Sequence, residues 1–558
     1  MLLAVLLLTF HLQALAQAPA WQSAQAVAAA TAAVAGNFTE VTATAVDAAG
    51  NVYLAGVFAN SIVLGGTTLA SSGNGDVFVA KFNPAINQFV WAQRAGGLGD
   101  DGASALAVSG TSVYVAGSFK SSTAGFGSSN LTNAGAADVF VAKLTDAGNF
   151  LWAQRAGGTG YDQATALAVS GVNVYVAGSF NSSTASIGTT TIDSAGSYDA
   201  FVAKFVDAGS MGSLAWVQRA GGIGYDYAQA LAVSGTSVYV AGSFGNSTTG
   251  SSTADFGPVL LTYAGANDVF VAKLTDAGSA GTFVWAQRAG GTGYDYAQAL
   301  AVSSTGVYVA GSFESPTAVF GPITLTNTGI SNVFVAKLTD AGNTGSFVWA
   351  QRAGGTNEDY AYALAVKGTS VYVAGIFTSA TVSFGTTTLT NASVNIADVF
   401  VAKLTDAGNT SSFAWAQQAG GTDDDYTTAL ALSGTSMYVV GYFVSPSAGF
   451  GVTTLPNTNY PGPLGFLASL TDPTLTATTP ALPREPAALF PNPAHHAATL
   501  RLPAGTAPVP LTLTDAQGRP VRRYPAPAGP EAALDLQGLP AGLYLLRGAG
   551  PAQRLAVE

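Results

Sequence analysis

The sequence has no cysteine, few charged residues and almost no histidine. The absence of Cys among 558 residues excludes disulfides, thiolate metal sites, a cysteine nucleophile and the acylated cysteine of a bacterial lipoprotein. The three histidines are His11, His495 and His496, so the repeated part of the chain cannot supply a Ser-His-Asp relay or a His-ligated metal site. The net charge of −11 argues against a nucleic-acid partner, because phosphate binding requires a basic surface.

Long apolar runs are equally scarce. The only one lies in the N-terminal segment MLLAVLLLTFHLQALAQAPAW, and it is shorter than the roughly 20 residues of a membrane-spanning helix. Its apolar stretch followed by small residues predicts a secretory signal peptide over residues 1–16. Cleavage is expected before Gln17, with a site after Ala18 as the alternative. The mature chain is then expected to contain no transmembrane segment.

A repeat occupies most of the chain. The seven Trp recur at intervals of 61 to 70 residues, a period typical of a solenoid, a propeller or a domain array. They are Trp21, Trp91, Trp152, Trp216, Trp285, Trp349 and Trp415. In one repeat the pattern predicts four short strands, Phe283–Arg288, Ala297–Ser303, Val307–Phe313 and Asn332–Thr339, with a variable excursion before the last. Four strands per repeat, apolar on both faces, favour the blades of an all-β propeller.

Residue size predicts the order of strands within a blade. Neighbouring blades are close at the centre and splay apart at the rim, so the Ala-rich strand "AQALAVS" should be innermost and the Trp strand outermost. The seventh repeat has no Trp strand of its own, whereas Trp21 precedes every repeat. We therefore predict a seven-bladed β-propeller over residues 17–472, closed when the Trp21 strand pairs with the strand around Phe466.

The repeated motif, "WAQRAGGTGYDYAQALAVS…VYVAGSF…DVFVAKLTDAG", resembles the bacterial seven-bladed propeller repeat family known as SBBP. The resemblance covers residues 21–472. It is weakest at Ala29–Glu40, which lacks the Gly-Gly and Asp, and in the last repeat, where Leu464 and Ser469 replace the Asp and Lys of "DVFVAK". Both departures flank the predicted closure.

The composition changes after residue 472. Residues 473–486, rich in Pro and Thr, read as a linker, and short strands over residues 487–558 predict a small Ig-like β-sandwich. This tail resembles the type A C-terminal sorting domain of the type IX secretion system of Bacteroidetes-like bacteria. The residues that carry the resemblance are Pro491, Asn492, Pro493, Gly538, Leu539, Gly542 and Tyr544. The resemblance implies recognition by the type IX machinery and its sorting protease, removal of the tail, and an extracellular or outer-membrane surface location.

Charged residues recur at fixed repeat positions, which favours a structural role. The Arg after the Trp and the Lys of "VFVAK" are interpreted as covering the apolar rim, with heads in water or paired with loop acids. The Asp that opens each Ala-rich strand is interpreted mainly as a turn former. Asp423–Asp425 and the pair Glu358 and Asp359 add acids that could hold Ca²⁺, but no EF-type spacing is present. We expect no cofactor, no metal and no catalytic residue.

Tyrosines accompany those Asp residues in the loops that enter the innermost strands. These loops should lie together around the mouth of the propeller channel, where aromatic rings and acids suit sugars or protein surfaces. The alternative is that each Tyr packs on the next blade. The candidate ligand face consists of Tyr161, Asp162, Tyr225, Asp226, Tyr227, Tyr294, Asp295, Tyr296, Asp359, Tyr360, Asp425 and Tyr426.

The function expected from these observations is that of an exported, non-catalytic binding or display scaffold with a glycan or protein ligand. The ligand face, or variable loops such as residues 245–264, would carry recognition. One alternative is a structural surface-layer or spacer protein without a small ligand. A glycan-cleaving enzyme is a weaker alternative, because its two carboxylates must face each other across a cleft, and acids occur here only in repeated loops.

Overall fold

The computed structural model describes residues 18–27, 36–245, 253–391, 393–475, 488–490, 492–501, 510–515, 517, 519–527, 531–547 and 553–558. The chain divides into two compact units, residues 1–476 and 477–558. The regular elements of the described ranges are β-strands, so the all-β prediction is confirmed. We find no helix within these ranges that could span a membrane. The predicted signal peptide and most of the predicted linker lie outside the described residues.

The N-terminal unit contains seven antiparallel groups of four paired strands, here called repeats 1 to 7. A hairpin from the next repeat extends three of these groups to six strands. The first strands are Phe38–Val46, Asp101–Ser109, Asp162–Ser170, Tyr227–Ser234, Asp295–Ser303, Asp359–Lys367 and Asp425–Ser433. The second strands are Val52–Ala59, Ser112–Phe119, Asn173–Phe180, Ser237–Gly245, Gly306–Phe313, Ser370–Phe377 and Ser436–Phe443. The third strands are Asp76–Asn83, Asp138–Thr145, Asp199–Asp207, Asn267–Asp276, Asn332–Asp340, Asp398–Asp406 and Leu464–Thr471. The fourth strands are Gln88–Ala95, Phe150–Gly157, Gly212–Gly222, Gly281–Gly290, Gly345–Ala353, Ser411–Ala419 and, for repeat 7, Trp21–Val27.

The first strands contact one another in chain order, and the first strand of repeat 7 also contacts that of repeat 1. Seven apolar clusters accompany this closed series, and each is built from two adjoining repeats. The second and third strands are buried along almost their whole length, as in Gly306–Phe313 and Asn332–Asp340. This explains why the strands read as continuous apolar runs instead of alternating, since both faces of each sheet are covered.

A glycine in each second strand permits a bulge in the first strand. A Cβ atom built on Gly311 would lie 1.9 Å from the carbonyl oxygen of Tyr296. The neighbouring register shifts between Ala297 and Ala299, which is the position of a β-bulge. The "AG" of "VYVAGSF" is thus required by close approach of the backbone, because any side chain would collide with the bulged strand.

A two-stranded hairpin between the second and third strands was not predicted. The hairpins are Ser61–Leu64 with Thr67–Ala70, Thr123–Phe126 with Ser129–Thr132, Thr184–Ile187 with Thr190–Asp193, Thr253–Phe256 with Val259–Thr262, Thr317–Phe320 with Ile323–Thr326, Thr381–Phe384 with Thr387–Thr390, and Ser447–Phe450 with Thr453–Pro456. Some pair with the fourth strand of the preceding repeat, as Ala289 does with Phe320. Their strands are only four residues long and rich in Thr and Ser. The sequence between the second and third strands therefore reads as a loop of variable length.

The Trp21 strand pairs with the third strand of repeat 7, with Ala26 opposite Phe466, as the sequence predicted. However, Trp21 is not equivalent to the other six Trp, and that part of the prediction is wrong. Trp21 lies opposite Leu470, the position that Phe283 takes opposite Leu274 in repeat 4. Its indole packs edge-on against Phe450 at 5.3 Å between centroids and donates to the carbonyl of Gln418 at 2.9 Å.

Six ion pairs join consecutive repeats. Both side chains are buried in four of them, and Asp146 and Asp340 of the other two are partly exposed. In each, the Lys of "VFVAK" contacts an Asp that follows or ends the third strand of the next repeat, at 2.5–2.9 Å. Asp276, for example, accepts hydrogen bonds from Lys204 and Tyr175, both at 2.6 Å, and from Trp216 at 2.9 Å. Although burial opposes ionisation, these bonds lower the pKa of Asp276 to about 2. The ammonium groups of these Lys residues are therefore paired with acids and are not exposed to water.

The contact between repeats 7 and 1 is built differently. Ser469 stands at the Lys position and bonds to Ser23 at 2.7 Å, while Pro84 stands at the Asp position of repeat 1. No ion pair joins these two repeats among the described residues; an apolar cluster that includes Val27, Val41 and Leu467 does so instead. The absence of an Asp acceptor at residue 84 explains why no indole occupies the usual Trp position here.

The C-terminal unit contains two sheets. One is formed by Ala488–Phe490, Ala497–Arg501 and Glu531–Asp535, and the other by Pro520–Tyr524, Leu511–Thr514, Gly542–Arg547 and Gln553–Val557. The two sheets share one apolar cluster that contains Leu500, Leu534 and Leu546. The side chain of Asn492 bonds to the backbone of Arg554 at 2.8 Å and of Ala556 at 2.9 Å, so it fixes the final strand.

Candidate ligand-binding site

A cavity lies among the first strands of the seven repeats. At its narrower level it has a volume of about 210 Å³ and is lined by residues of all seven first strands. Six leucines and Thr44 form a ring at this level, namely Leu106, Leu167, Leu231, Leu300, Leu364 and Leu430. A wider region of the cavity begins at Gln229 and Tyr362, which line both levels.

The wider region, here called the mouth, is lined mainly by tyrosine and glutamine. Two connected cavities of about 300 and 380 Å³ share Gln229, Gln298 and Tyr362. The other tyrosines that line them are Tyr227, Tyr296, Tyr360, Tyr426 and Tyr442. The aromatic rings belong to repeats 4 to 7, whereas repeat 2 offers only Gly102 and Ser104 at the matching positions. The mouth is therefore asymmetric, although it is built from repeats.

Stacked pairs hold several of these rings in place. Tyr360 and Tyr362 lie 6.3 Å apart with an interplanar angle of 19°, and Tyr294 and Tyr296 lie 6.3 Å apart at 7°. Burial raises the pKa of Tyr296 and of Tyr362 to about 12, so both phenols are neutral hydrogen-bonding groups at physiological pH. Such fixed and flat rings can contact a flat apolar face while their hydroxyls bond to polar groups.

A hydroxyl without a partner points to a ligand in this region. Ser312 lines the mouth and is 1% exposed, and its Oγ atom has no hydrogen-bond partner among the described residues. Buried polar groups are nearly always paired, because an unpaired one costs about 1–3 kcal/mol. The side-chain amides of Gln229 and Gln298 line the same space.

Carboxylates surround the mouth. Glu314 and Glu358 interact with Tyr360, while Glu40 and Asp424 interact with Tyr442. Burial, together with the nearby charges of Glu358 and Asp295, raises the pKa of Glu314. Burial likewise raises the pKa of Glu40. No Lys or Arg lines the mouth among the described residues, so these acids give it a negative field.

The Asp residues that the sequence assigned to the ligand face are buried below the surface of the mouth, and this part of the prediction is corrected. Asp162, Asp226, Asp295, Asp359 and Asp425 are at most 2% exposed. Asp295 accepts hydrogen bonds from the Gly291 N–H at 2.7 Å and from the Ser315 hydroxyl at 2.6 Å, and this holds the turn before the first strand. Because their oxygens are used by the local backbone, these carboxylates cannot contact a ligand at the surface.

The predicted tyrosines divide into two groups. Tyr227, Tyr296, Tyr360 and Tyr426 line the mouth. Tyr225 and Tyr294 are 37% and 39% exposed and stack on their neighbours outside the cavities, and Tyr161 is half-buried. The repeat pattern missed Tyr362 and Tyr442. Tyr362 could have been found from strand alternation, because it comes two residues after Tyr360 on the same face. Tyr442 could have been found from the pairing of the first two strands, which places it opposite Tyr426.

Three of the five acids considered for calcium, Asp359, Asp424 and Asp425, bond to the surrounding fold. Asp424 accepts the N–H of Ala397 at 2.9 Å, and Asp425 accepts the hydroxyl of Ser445 at 2.9 Å. Within the described residues no group of three or more Asp, Glu, His or Cys side chains is arranged to hold a metal ion. The variable loop at residues 245–264 lies partly outside the described residues.

Comparison with known proteins separates the two units. Residues 488–554 match the family described as secretion system C-terminal sorting domain. The tail is similar to a sorting domain. It indicates export through the type IX system to the cell surface or the medium, and it implies interaction with that machinery. The match spans the seven residues predicted to carry the sorting signal, of which Pro491 lies outside the described residues.

The comparisons do not identify the repeats. The search of curated proteins found no match. Among solved structures, the computationally designed Ika8 protein has a TM-score of 0.32 at 11% identity, with coverage of 80% of this chain and 100% of the other. A putative 6-phosphogluconolactonase from Bacteroides uniformis has a TM-score of 0.28 at 11% identity, with coverage of 66% of this chain and 99% of the other. A europium-containing methanol dehydrogenase has a TM-score of 0.33 at 10% identity, with coverage of 74% of this chain and 90% of the other. These scores are too low to support an argument about fold or function.

Proposed function

We propose that residues 17–472 form a seven-bladed β-propeller that is delivered outside the cell as a non-catalytic binding protein. The closed series of contacts between first strands supports the seven-bladed arrangement, as does the pairing of the Trp21 strand with the last third strand. We further propose that the N-terminal segment is a signal peptide, that the C-terminal unit is an Ig-like sandwich, and that the repeats belong to the SBBP type. Export and binding would then be separate tasks of separate parts of the chain.

The observation that carries the binding proposal is the asymmetric mouth. Repeated scaffold residues, such as the Lys and Asp of the inter-repeat ion pairs, are nearly the same in every repeat. The residues at the mouth instead differ from one repeat to the next. The residue after the turn Asp is Gly102 in repeat 2, Gln163 in repeat 3 and Tyr in repeats 4 to 7. The residue two positions further along the strand is, in repeats 2 to 7, Ser104, Thr165, Gln229, Gln298, Tyr362 and Thr428. Variation of this kind on a uniform scaffold is typical of a recognition surface. The two cavities, of about 300 and 380 Å³, are large enough for one or two sugar rings or an amino-acid side chain.

The test is a glycan and protein array probed with the exported propeller. Tyr360→Ala and Tyr296→Ala should each lower binding of the captured ligand, while Tyr360→Phe keeps the ring and should bind more strongly than the Ala variant. Tyr460→Ala, which changes an exposed tyrosine outside the cavities, is the matched control. Unchanged binding by both mouth variants would reject the mouth as the site. Self-assembly with no captured ligand would favour a structural role, and release of cleaved glycan would favour an enzyme.

A further inference from the structure

The groups around the mouth specify a ligand more closely than shape does. Tyr296, Tyr360 and Tyr362 supply ring faces, and Gln229, Gln298 and Ser312 supply neutral donors and acceptors. Glu358 lies two residues before Tyr360 and Glu314 two residues after Ser312, so both add negative charge next to residues that line the mouth. A ligand that uses all of these must combine an apolar face, several hydroxyl or amide groups, and positive charge.

A free amino sugar has this combination. The C–H face of a pyranose ring packs on aromatic rings, its hydroxyls bond to amides and to a serine hydroxyl, and a protonated amine is attracted both by carboxylates and by the faces of tyrosine rings. A lysine side chain would satisfy the carboxylates, but it has no groups for Gln229, Gln298 and Ser312. An anionic ligand would meet Glu40, Glu314, Glu358 and Asp424 with no cation among the lining residues.

We propose that the mouth binds a glycan that carries free amino groups, with Glu314 and Glu358 facing the ammonium group and Tyr296, Tyr360 and Tyr362 contacting the ring. This inference rests on the proposed binding function and names the ligand class for the same site. The unpartnered hydroxyl of Ser312 bonds to the sugar and is thereby satisfied in the complex.

The experiment measures binding of four probes to the propeller by calorimetry at low and at high salt. The probes are a tetrasaccharide of glucosamine, the same tetrasaccharide fully N-acetylated, a neutral glucose tetrasaccharide and tetralysine. We expect the glucosamine probe to bind about tenfold more tightly than either neutral sugar, and added salt to reduce this preference. Acetylation removes the charge and keeps the ring, so it isolates the contribution of the ammonium group.

Three variants connect the preference to the residues. In Glu314→Gln/Glu358→Gln the preference for glucosamine should fall about tenfold, with affinity for the neutral sugars unchanged. Ser312→Ala should weaken all sugars, and Tyr360→Ala should abolish their binding. Asp193→Asn, an exposed acid on the hairpin of repeat 3, is the control for net charge and should change nothing. Thermal unfolding of each variant verifies that the fold is retained.

Each contrary outcome overturns a defined part of the reasoning. Equal affinity for the three sugars, lost in Tyr360→Ala, would overturn the amino-sugar inference and leave the proposed binding site intact. Tight binding of tetralysine without binding of glucosamine would do the same and identify a basic peptide as the ligand. No binding of any probe would overturn the inference, and the array described above would then decide the proposed function separately.

Discussion

Replacing Asp398 by Asn should stabilise the N-terminal unit at pH 8 and leave its stability unchanged at pH 3. Asp398 is 5% exposed, and its Oδ1 atom has no hydrogen-bond partner among the described residues. Gln418 stands where other repeats have an Arg beside this Asp, and its side-chain amide bonds to Thr390 instead. A Cβ atom built on Gly420 would lie 2.0 Å from Asp398 Oδ1 and 3.1 Å from Asp425 Oδ2, so two carboxyl groups share this small space.

The direction of the pH effect follows from the pKa. Burial raises the pKa of Asp398 from 3.8 to about 7. A carboxyl group whose pKa is raised on folding stabilises the protein below its unfolded pKa, and that contribution is lost as the pH rises through 7. The shift is about three units, each worth about 1.4 kcal/mol, which gives an upper bound of about 4 kcal/mol. Because Asp425 is also close to Asp398 and water can relax around the pair, we expect a measured effect of about 2 kcal/mol.

Asn should be accepted at this position because repeat 5 already has it. The Nδ2 atom of Asn332 donates to the carbonyls of Ser331 at 3.0 Å and Gly355 at 3.2 Å. The assay is urea unfolding of wild type and Asp398→Asn at pH 3, below the unfolded pKa, and at pH 8, with the exposed Asp193→Asn as control. A gain of about 2 kcal/mol at pH 8 and near zero at pH 3 is expected. A variant that is destabilised equally at both pH values would refute the claim that Asp398 is buried without compensation for its charge.

Four further outcomes are expected. Trp21→Ala should lower the free energy of unfolding by about 3–5 kcal/mol. Trp21→Phe should lower it by less than about 1.5 kcal/mol, because five of the other six repeats have Phe at this position. Equal losses would contradict the register correction. Lys204→Met should lower the free energy of unfolding by about 3–5 kcal/mol, because it leaves Asp276 buried and charged without a partner. The double change Lys204→Met/Asp276→Leu should recover most of that loss in the same unfolding assay. Gly311→Ala should prevent stable folding, seen by circular dichroism, whereas Gly188→Ala, at a hairpin turn with open space around it, should cost only about 1 kcal/mol of backbone strain. Removal of residues 488–558 should leave the propeller inside the cell, detected by fractionation, and secretion of the shortened chain would argue against the sorting role.

The repeat made much of the fold predictable. Four strands per repeat, the position of the Ala-rich strand and the pairing of the Trp21 strand all follow from the spacing and size of the residues. The hairpins could not be predicted, because strands as short as Thr317–Phe320 have no period to detect. The exact register of Trp21 was also hidden, since it depends on Ser469 and on Pro84 in a different repeat.

The candidate site was only partly predictable. The tyrosines that follow the turn Asp were found because loops that enter neighbouring strands must lie together. The sequence places each Asp beside its Tyr, but it does not show that the Asp oxygens are used by backbone N–H groups, as in Asp295. Ser312 was missed because an unpartnered hydroxyl is a property of its surroundings and not of its residue type.

The uncharged contact between repeats 7 and 1 responds to acid differently from the other six contacts. As the pH falls toward about 2, protonation of Asp276 and its counterparts weakens the six contacts that contain ion pairs, whereas the contact built on Val27, Val41 and Leu467 has no charge to lose. In strong acid the series of repeats would therefore loosen at the charged contacts first, while the first and last strands stay paired.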